Sequence, residues 1–527
     1  MCWLVIMERL LMVSLIKYDV MKTRVIIIFC VCFLFFSCYE DKGNYTYGDL
    51  EEIKISNVEN EYTKIYLEDR LQITPKVEAS DPNAVLEYKW TFLGDSIVIS
   101  NQLALDTFMN WKPAVYNLVL HVTNKNTGYT VYETTKATVN TEFSLGWYVL
   151  KDNGTVADLD LYTDSKVIPN VIQRVNGSPL QGRGEKISFF NDHDVFDADN
   201  NTYSGKAVIF CVTDKDINGI DAVTAYRWRM FEDLFIEQPA RRKPGVMLEG
   251  QAAFLINDGK VYPLELSSTS NGKFGTRRHL NGDYDNYQLS KYTYCDWFKY
   301  DLVVYDTVSC SFYTASARQN YMSVPEDGAD SEMSGQNTNK RLLYLGSKTL
   351  MMGTHAYAVF QDKSDPNVKM ISKIKIIASG LFIKGLQFSN DTLEVNSPAW
   401  NAECYTMSHS EEVMYFVANG ELYSQNVTGK KGKPTSEFKI PAGEKATFIK
   451  SQYINKKDFV YNGNYLILGT EINGTYKIRC FEKTTAGHLN SVPELELPRE
   501  GERAEGRASD VIFIHPSLRG LTYMPSY

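Results

Sequence analysis

The chain has no pair of cysteines in a CxxC arrangement. It carries nine cysteines in 527 residues, and the five beyond Cys38 (Cys211, Cys295, Cys310, Cys404 and Cys480) stand far apart. That spacing excludes a dense disulfide framework and a thiolate zinc site. Most of the five fall in apolar runs such as AVIFCV around Cys211 and YKIRCFE around Cys480, where cysteine serves as a small buried apolar residue. Also absent are HExxH, GxSxG, a glycine-rich phosphate loop and a Cys/His nucleophile signature, so metalloprotease, serine-hydrolase and nucleotide chemistry lack their usual sequence support. The seven histidines (His121, His193, His279, His355, His409, His488 and His515) are scattered singly and read as structural or solvated. Basic residues are outnumbered, giving a formal net charge of −9. Binding to nucleic acid by general electrostatics is therefore disfavoured. No uninterrupted apolar run reaches the about 20 residues that a membrane-spanning helix needs.

What is present begins with MKTRVIIIFCVCFLFFSC from Met21: Lys22 and Arg24, then a short apolar run from Val25 to Phe36, then Ser37 before Cys38. This is the order of charged region, apolar region and small-residue cleavage site in a secretory signal, which predicts removal of residues 1–37. Residues 1–20 do not fit ahead of such a signal, and the start at Met21 is the expected one. Without residues 1–37 the chain holds 51 basic and 62 acidic residues, a net charge of −11. Phe35-Phe36-Ser37-Cys38 resembles the lipobox of bacterial lipoproteins, although phenylalanine replaces the usual smaller aliphatics. That resemblance implies acylation of Cys38 and an outer-membrane lipid partner, with residues 38–50 as a lipidated linker. Tyr39-Glu40-Asp41 resembles the acidic export signal of Bacteroidetes lipoproteins carried to the cell surface.

Beyond residue 50 short runs rich in Val, Ile, Tyr and Phe recur between Asn-Gly and Asp-Gly turns, so the chain reads as nearly all β. Residues 51–142 form a first unit. EYKWTF places Tyr88, Trp90 and Phe92 on one strand face, and YNLVLHVTN does the same with Tyr116, Leu118, Leu120 and Val122, a pattern that suits a two-sheet sandwich. YKWTFLGD and VYNLVLHVTNKNTG resemble the PKD-like or immunoglobulin-like domain. From residue 143 to 527 seven segments repeat the form strand, polar turn, strand: 148–162, 208–228, 253–266, 302–314, 356–374, 414–427 and 466–482. Gly154 to Gly259 is 105 residues, Gly259 to Gly420 is 161 and Gly420 to Gly474 is 54, close to two, three and one multiples of about 53. This periodicity predicts a seven-bladed β-propeller, with each hairpin at the middle of a blade and DVIFIHP (510–516) completing the first blade. A pair of sandwiches is the competing architecture. Signal, PKD-like domain, GWYVL junction and β-rich remainder together resemble the PKD-like family lipoproteins of Bacteroidetes, a resemblance that implies association with nutrient-uptake complexes and no agreed activity.

The candidate sites are few. In NDHDVFDADNNTYSG, Asp197, Asp199 and Asn201 are spaced two apart, as calcium ligands are, but Thr202 and Val208 replace the glycine and closing glutamate of an EF-hand loop. A polar surface turn explains the same residues, and no cofactor is expected. ARRKPG and GTRRHL place Arg241, Arg242, Lys243, Arg277 and Arg278 in an acidic molecule. On neighbouring loops these guanidinium groups would hold a carboxylate or phosphate ligand; as ordinary surface charges they are solvated. Tyr292, Tyr294, Trp297 and Trp400 read either as a stacking platform for sugars or peptide side chains or as strand packing. Asp158, Asp160 and Asp306 lie in or beside hairpins, where two convergent carboxylates would allow glycoside hydrolysis or elimination. The expectation is a non-catalytic surface lipoprotein binding a glycan or peptide, or docking on a transporter complex. A surface hydrolase or lyase is the enzyme alternative, and a scaffold for a neighbouring transporter subunit is a third reading.

Overall fold

The computed structural model describes residues 51–94, 97–197, 202–264, 271–280, 286–295, 299–348, 355–454 and 463–515. Cys38, Asp199, Asn201 and Trp297 lie outside the described residues. Among those described, no helix is long and apolar enough to cross a membrane.

The N-terminal region is a β-sandwich. One sheet runs in the order Glu61–Ile65, Thr130–Asn140, Ala114–Asn124, Leu86–Phe92, Val98–Ser100. Two strand pairs, Ile53–Ser56 with Lys76–Ala79 and Arg70–Ile73 with Leu105–Phe108, complete it. Trp90 is fully buried and its indole Nε1 donates to the Leu103 carbonyl at 3.1 Å, so its one polar group is satisfied.

The remainder of the chain is a seven-bladed propeller, and its logic is visible in the second and third strands of each blade. Gly146–Asp152 pairs with Val156–Tyr162, Thr202–Thr213 with Ile217–Asp221, and Ala253–Asn257 with Lys260–Pro263. Asp301–Asp306 pairs with Ser311–Ser316, His355–Asp362 with Lys369–Ser379, Val413–Ala418 with Glu421–Asn426, and Gly463–Ile472 with Thr475–Glu482. The turns follow from local chemistry. Asp258-Gly259, Asn419-Gly420 and Asn473-Gly474 hold both residues at positive φ, between 48° and 75°. That is the two-residue hairpin turn whose twist matches the flanking strands, and Asn, Asp and Gly tolerate it best.

Alternate residues of each second strand serve different blade interfaces. Ile209 and Cys211 pack with blades 1 and 7, whereas Phe210 and Val212 pack with blade 3. Phe254 faces blade 4 and Leu255 faces blade 2. Leu302 and Val304 turn toward blade 3, Val303 and Tyr305 toward blade 5. Ala358 and Phe360 turn toward blade 4, Tyr357 and Val359 toward blade 6. Met414 and Phe416 meet blade 5, Tyr415 and Val417 meet blade 7. A strand buried on both faces reads as a continuous apolar run rather than an alternating one, which is why VVY, AVF and MYFV look as they do. The shared cores link each blade to the next all the way round.

Closure is made by hydrogen bonds as well. The strand Arg507–Ile514 pairs antiparallel with Gly146–Asp152, with Tyr148 opposite Ile512 and a bulge at Leu150. Blade 1 is therefore built from both ends of the propeller sequence, and no open sheet edge remains there. Gly146 has φ 140° and lies so close to the neighbouring strand that a Cβ would sit 2.5 Å from the Tyr162 carbonyl oxygen. Only glycine fits this crossing point.

Candidate functional site

The arginines named from the sequence do not converge. Arg242 is held by Asp216 and by Glu232 at 2.5 Å and stacks on Phe231, its guanidinium carbon 4.7 Å from the ring centre. Arg241 is exposed and lies 3.6 Å from Asp258. Lys243 also faces Asp258, at 4.0 Å. Arg277 is half-buried. Arg278 departs furthest from expectation: it is buried and donates to the carbonyls of Ser316 (3.0 Å), Thr276 (3.2 Å) and Ala317 (3.3 Å). Two adjacent residues of an extended segment point in opposite directions, so one of an Arg-Arg pair goes inward. Arg278 ties backbone together and does not offer its fork to a ligand.

Of the two readings of the aromatic residues, Tyr294 follows strand packing. Tyr294 is 1% exposed and belongs to the core between blades 4 and 5, its backbone bridging Val303. Tyr292 is half-buried beside that core. Trp400 is also half-buried; its Nε1 donates to the Asn367 carbonyl at 2.8 Å and the Lys369 ammonium lies 4.4 Å over its ring. Asp197 ends the strand Gly184–Asp197, with its backbone opposite Thr202. Among the described residues no cluster of three or more His, Cys, Asp or Glu side chains is placed to hold a metal ion.

The hairpin carboxylates are engaged one by one. Asp158 accepts from the backbone N–H of Leu159, Ile172 and Gln173 at 2.7, 2.8 and 3.0 Å. It thereby satisfies the first turn of the short helix Val171–Asn176 from the neighbouring strand. Burial pushes its carboxyl above the usual range, and the three N–H groups oppose that shift. Asp160 accepts from the Lys151 ammonium (2.8 Å), the Asn170 N–H (2.9 Å) and the Tyr476 hydroxyl (2.7 Å). Asp306 accepts from the N–H of Gln288, Val308 and Ser309 and from the Ser309 hydroxyl. Asp158 and Asp160 lie two apart on one strand and both meet the start of the helix Val171–Asn176, while Asp306 organises the blade 4 turn.

Two buried polar clusters were not legible in the sequence. On the innermost strands, Asp510 receives Lys450 at 3.0 Å and the Ile187 N–H at 2.9 Å, with Lys186 at 3.7 Å. Burial alone would raise the Asp510 carboxyl, but the two ammonium groups hold it below its ordinary value. Burial lowers Lys186 to about 8, with Asp510 opposing. The second cluster joins blades 6 and 7. The buried Lys483 ammonium donates to Asn464 Oδ1 (2.9 Å), to Ser408 Oγ (3.4 Å) and to Ser451 Oγ. Burial brings it down to about 7, with Glu411 opposing. His409 meets the Ser451 carbonyl at 2.6 Å, and burial together with Lys483 lowers it to about 3.

One cleft is suited to a ligand. It lies on blade 4, has a volume of about 540 Å³, and lies among Asp306, Val308 and Ser309 of the hairpin turn, Tyr313, Tyr321–Ser323 with Val324, and Leu280 with Asn286. Tyr321, Val308 and Val324 are 48%, 55% and 58% exposed. The volume falls in the range of small-molecule sites, and the lining joins two phenol rings and aliphatic surface to neutral polar groups. Among the described residues its one carboxylate, Asp306, is already held by backbone N–H groups. Such a surface favours an uncharged ligand with one flat apolar face and hydroxyl or amide groups on its rim.

Residues 38–184 match the PKD-like family. That span includes the sandwich and the hairpin Gly146–Tyr162 of blade 1. No curated protein matches the chain. Among solved structures the chain is similar to a quinonprotein alcohol dehydrogenase-like protein from Bacteroides thetaiotaomicron, at 14% identity over 88% of this chain and 99% of that one, with a TM-score of 0.41. It is also similar to BBS1N, solved in complex with ARL6DN, at 9% identity over 58% of this chain and 81% of that one, with a TM-score of 0.35. A third is PorZ, a surface component of the type-IX secretion system of Porphyromonas gingivalis, at 10% identity over 68% and 55%, with a TM-score of 0.20.

Proposed function

We propose that the protein is an outer-membrane lipoprotein, anchored through acylated Cys38 and facing outward. In this reading its propeller binds a neutral glycan or peptide for a nutrient-uptake complex without transforming it. The observation that carries the binding function is the blade 4 cleft, where Tyr313 and Tyr321 combine with Asn286, Ser309 and Ser323. The lack of catalysis is supported by the engagement of Asp158, Asp160 and Asp306. Each accepts from backbone N–H, which stabilises the ionised form and so opposes the work of a general acid. The anchor rests on the order of cations, apolar run, Ser37 and Cys38 in the sequence.

The test is calorimetric titration of the mature chain with a panel of neutral oligosaccharides and peptides. Tyr321→Ala and Tyr313→Ala are each expected to weaken a ligand found in this way about tenfold, the equivalent of roughly 1.4 kcal/mol. Unchanged affinity in both variants removes the cleft from consideration, and the appearance of reducing ends or unsaturated products during incubation sinks the non-catalytic reading. Incorporation of labelled fatty acid by the wild type and its loss in Cys38→Ala tests the anchor separately.

A further inference from the structure

Cys310 sits at the tip of the blade 4 hairpin, between Asp301–Asp306 and Ser311–Ser316, and its environment differs from that of the other cysteines. Its backbone has φ 53°, a left-handed conformation uncommon for a residue with a side chain. That conformation is held by Thr338, whose N–H and hydroxyl both donate to the Cys310 carbonyl, at 2.9 and 3.0 Å. The thiol is thereby aimed at blade 5. There the ammonium of Lys363, just beyond the strand His355–Asp362, lies 2.7 Å from Sγ. That is the short end of the about 2.7–3.2 Å range of N–H···O bonds and closer than an ordinary hydrogen bond to the larger sulfur. Lys363 is fixed at its base by its own N–H on the Asn339 carbonyl at 3.1 Å. Its ammonium also reaches the Thr307 carbonyl at 3.4 Å. Cys310 is 5% exposed, while Lys363 reaches solvent.

We propose that Cys310 and Lys363 are a modification site, at which oxidation inserts one oxygen atom between sulfur and nitrogen and joins blades 4 and 5 covalently. The co-reactant is dioxygen. One of its atoms forms the N–O and O–S bonds of the bridge. The other leaves as water with the thiol hydrogen and one hydrogen of the neutral amine. Nitrogen and sulfur each lose two electrons, and the four are taken up by the two oxygen atoms. The bridge needs an amine and a thiol held in contact at an edge that oxidant can reach, and the Cys310–Lys363 pair meets both conditions. Cys211 and Cys480 do not. Both are fully buried and burial pushes their thiols up, so they serve as inert internal controls. Because Asp306, Val308 and Ser309 of the same hairpin tip line the blade 4 cleft, the bridge would also fix the lip of that cleft. This last consequence rests on the binding function proposed above; the bridge itself does not.

The experiment is peptide mapping by mass spectrometry of the mature chain, kept either in air or under reductant without oxygen. The expected result is a linked pair of peptides containing Cys310 and Lys363, heavier than their sum by about 14 Da for one oxygen gained and two hydrogens lost. It should be found only in the aerated sample and separate again on treatment with dithiothreitol. Lys363→Arg and Cys310→Ser should both abolish it, and the exposed Lys363→Arg remains informative if Cys310→Ser folds poorly. Three results overturn the proposal: Cys310 recovered as free thiol after aeration, Cys310 recovered as sulfinic acid with the Lys363 peptide unmodified, or a linked pair lighter by two hydrogens with no oxygen gained. None of these readouts involves a ligand, so they stay separate from the fate of the cleft.

Discussion

Blades 1 and 4 occupy the same ring yet are built to opposite ends. In blade 1 the innermost strand is Arg507–Ile514, paired with Gly146–Asp152 from end to end across one bulge, and the hairpin beside it carries Asp158 and Asp160 with every oxygen engaged. In blade 4, among the described residues, the inner edge is made of isolated bridges, Leu289 to Asp306 and Tyr294 to Val303. Its outer side opens into the cleft. Order is concentrated where the ring closes, and exposed aromatic surface is left on a blade whose inner edge is broken into single bridges. The difference teaches that the polar groups of blade 1 serve closure, and that a ligand is better sought at blade 4. Both statements can be broken by mutation.

The largest effect is expected from the closing strand. Truncation after Glu505 removes Arg507–Ile514, uncovers the whole edge of Gly146–Asp152 and takes Val511, Ile512, Phe513 and Ile514 out of the core shared by blades 1, 2 and 7. It also strands Lys450 and Lys186 without their carboxylate. The truncated chain is expected to lose its cooperative melt and to aggregate on size exclusion. A cooperative, monomeric product would mean that closure is dispensable. Next in size is Asp158→Ala, which orphans the N–H groups of Ile172 and Gln173 in a buried setting. A loss of about 3 kcal/mol in denaturant unfolding is expected, and a change below about 0.5 kcal/mol would show that the helix start finds other acceptors.

What the sequence disclosed follows the same division. The middle hairpins were legible because both faces of their second strands are buried, so the runs are apolar throughout, and because Asp-Gly and Asn-Gly mark their turns. Of the innermost strands, Arg507–Ile514 was legible in DVIFIHP, whereas Lys445–Ile454 was not. KATFIKSQYI, in Lys445–Ile454, carries Lys450, which meets Asp510 and the Val511 carbonyl of blade 1, and the buried Gln452; these polar residues erase the alternation that betrays a strand. Arg278 and Tyr294 were misread for a related reason. Composition shows an arginine pair or an aromatic run, but the direction of each side chain depends on register, which one strand alone does not fix. The cleft had no sequence signature, since Leu280, Asn286, Ser309 and Tyr321 are brought together only by folding.

A third prediction sets the charged interior against pH. Lys483 has an ordinary value of 10.5 when unfolded and about 7 when folded. Between those values the unfolded chain holds the extra proton, so this residue makes stability rise with pH across that window, and the gain is lost as pH falls through 7. His409, lowered from 6.5 to about 3, acts in the same direction at lower pH. Thermal melts from pH 6 to pH 9 should therefore climb, and Lys483→Met should flatten that climb. An unchanged slope in the variant would assign the pH dependence elsewhere.

The smallest effect is the one that isolates blade 4. Tyr321 is 48% exposed and lies on the short outer strand Tyr321–Ser323, whereas Tyr305, two strands further in, is fully buried, with its hydroxyl 2.6 Å from the Lys340 carbonyl. If the cleft is kept open for a ligand rather than filled for packing, Tyr321→Ala should alter unfolding free energy by no more than about 0.5 kcal/mol. Tyr305→Ala should cost about 3–5 kcal/mol, by analogy with other large aromatic side chains removed from cores. A similar loss in both variants would mean that Tyr321 packs the blade, and blade 4 would then differ from blade 1 only in the regularity of its inner edge.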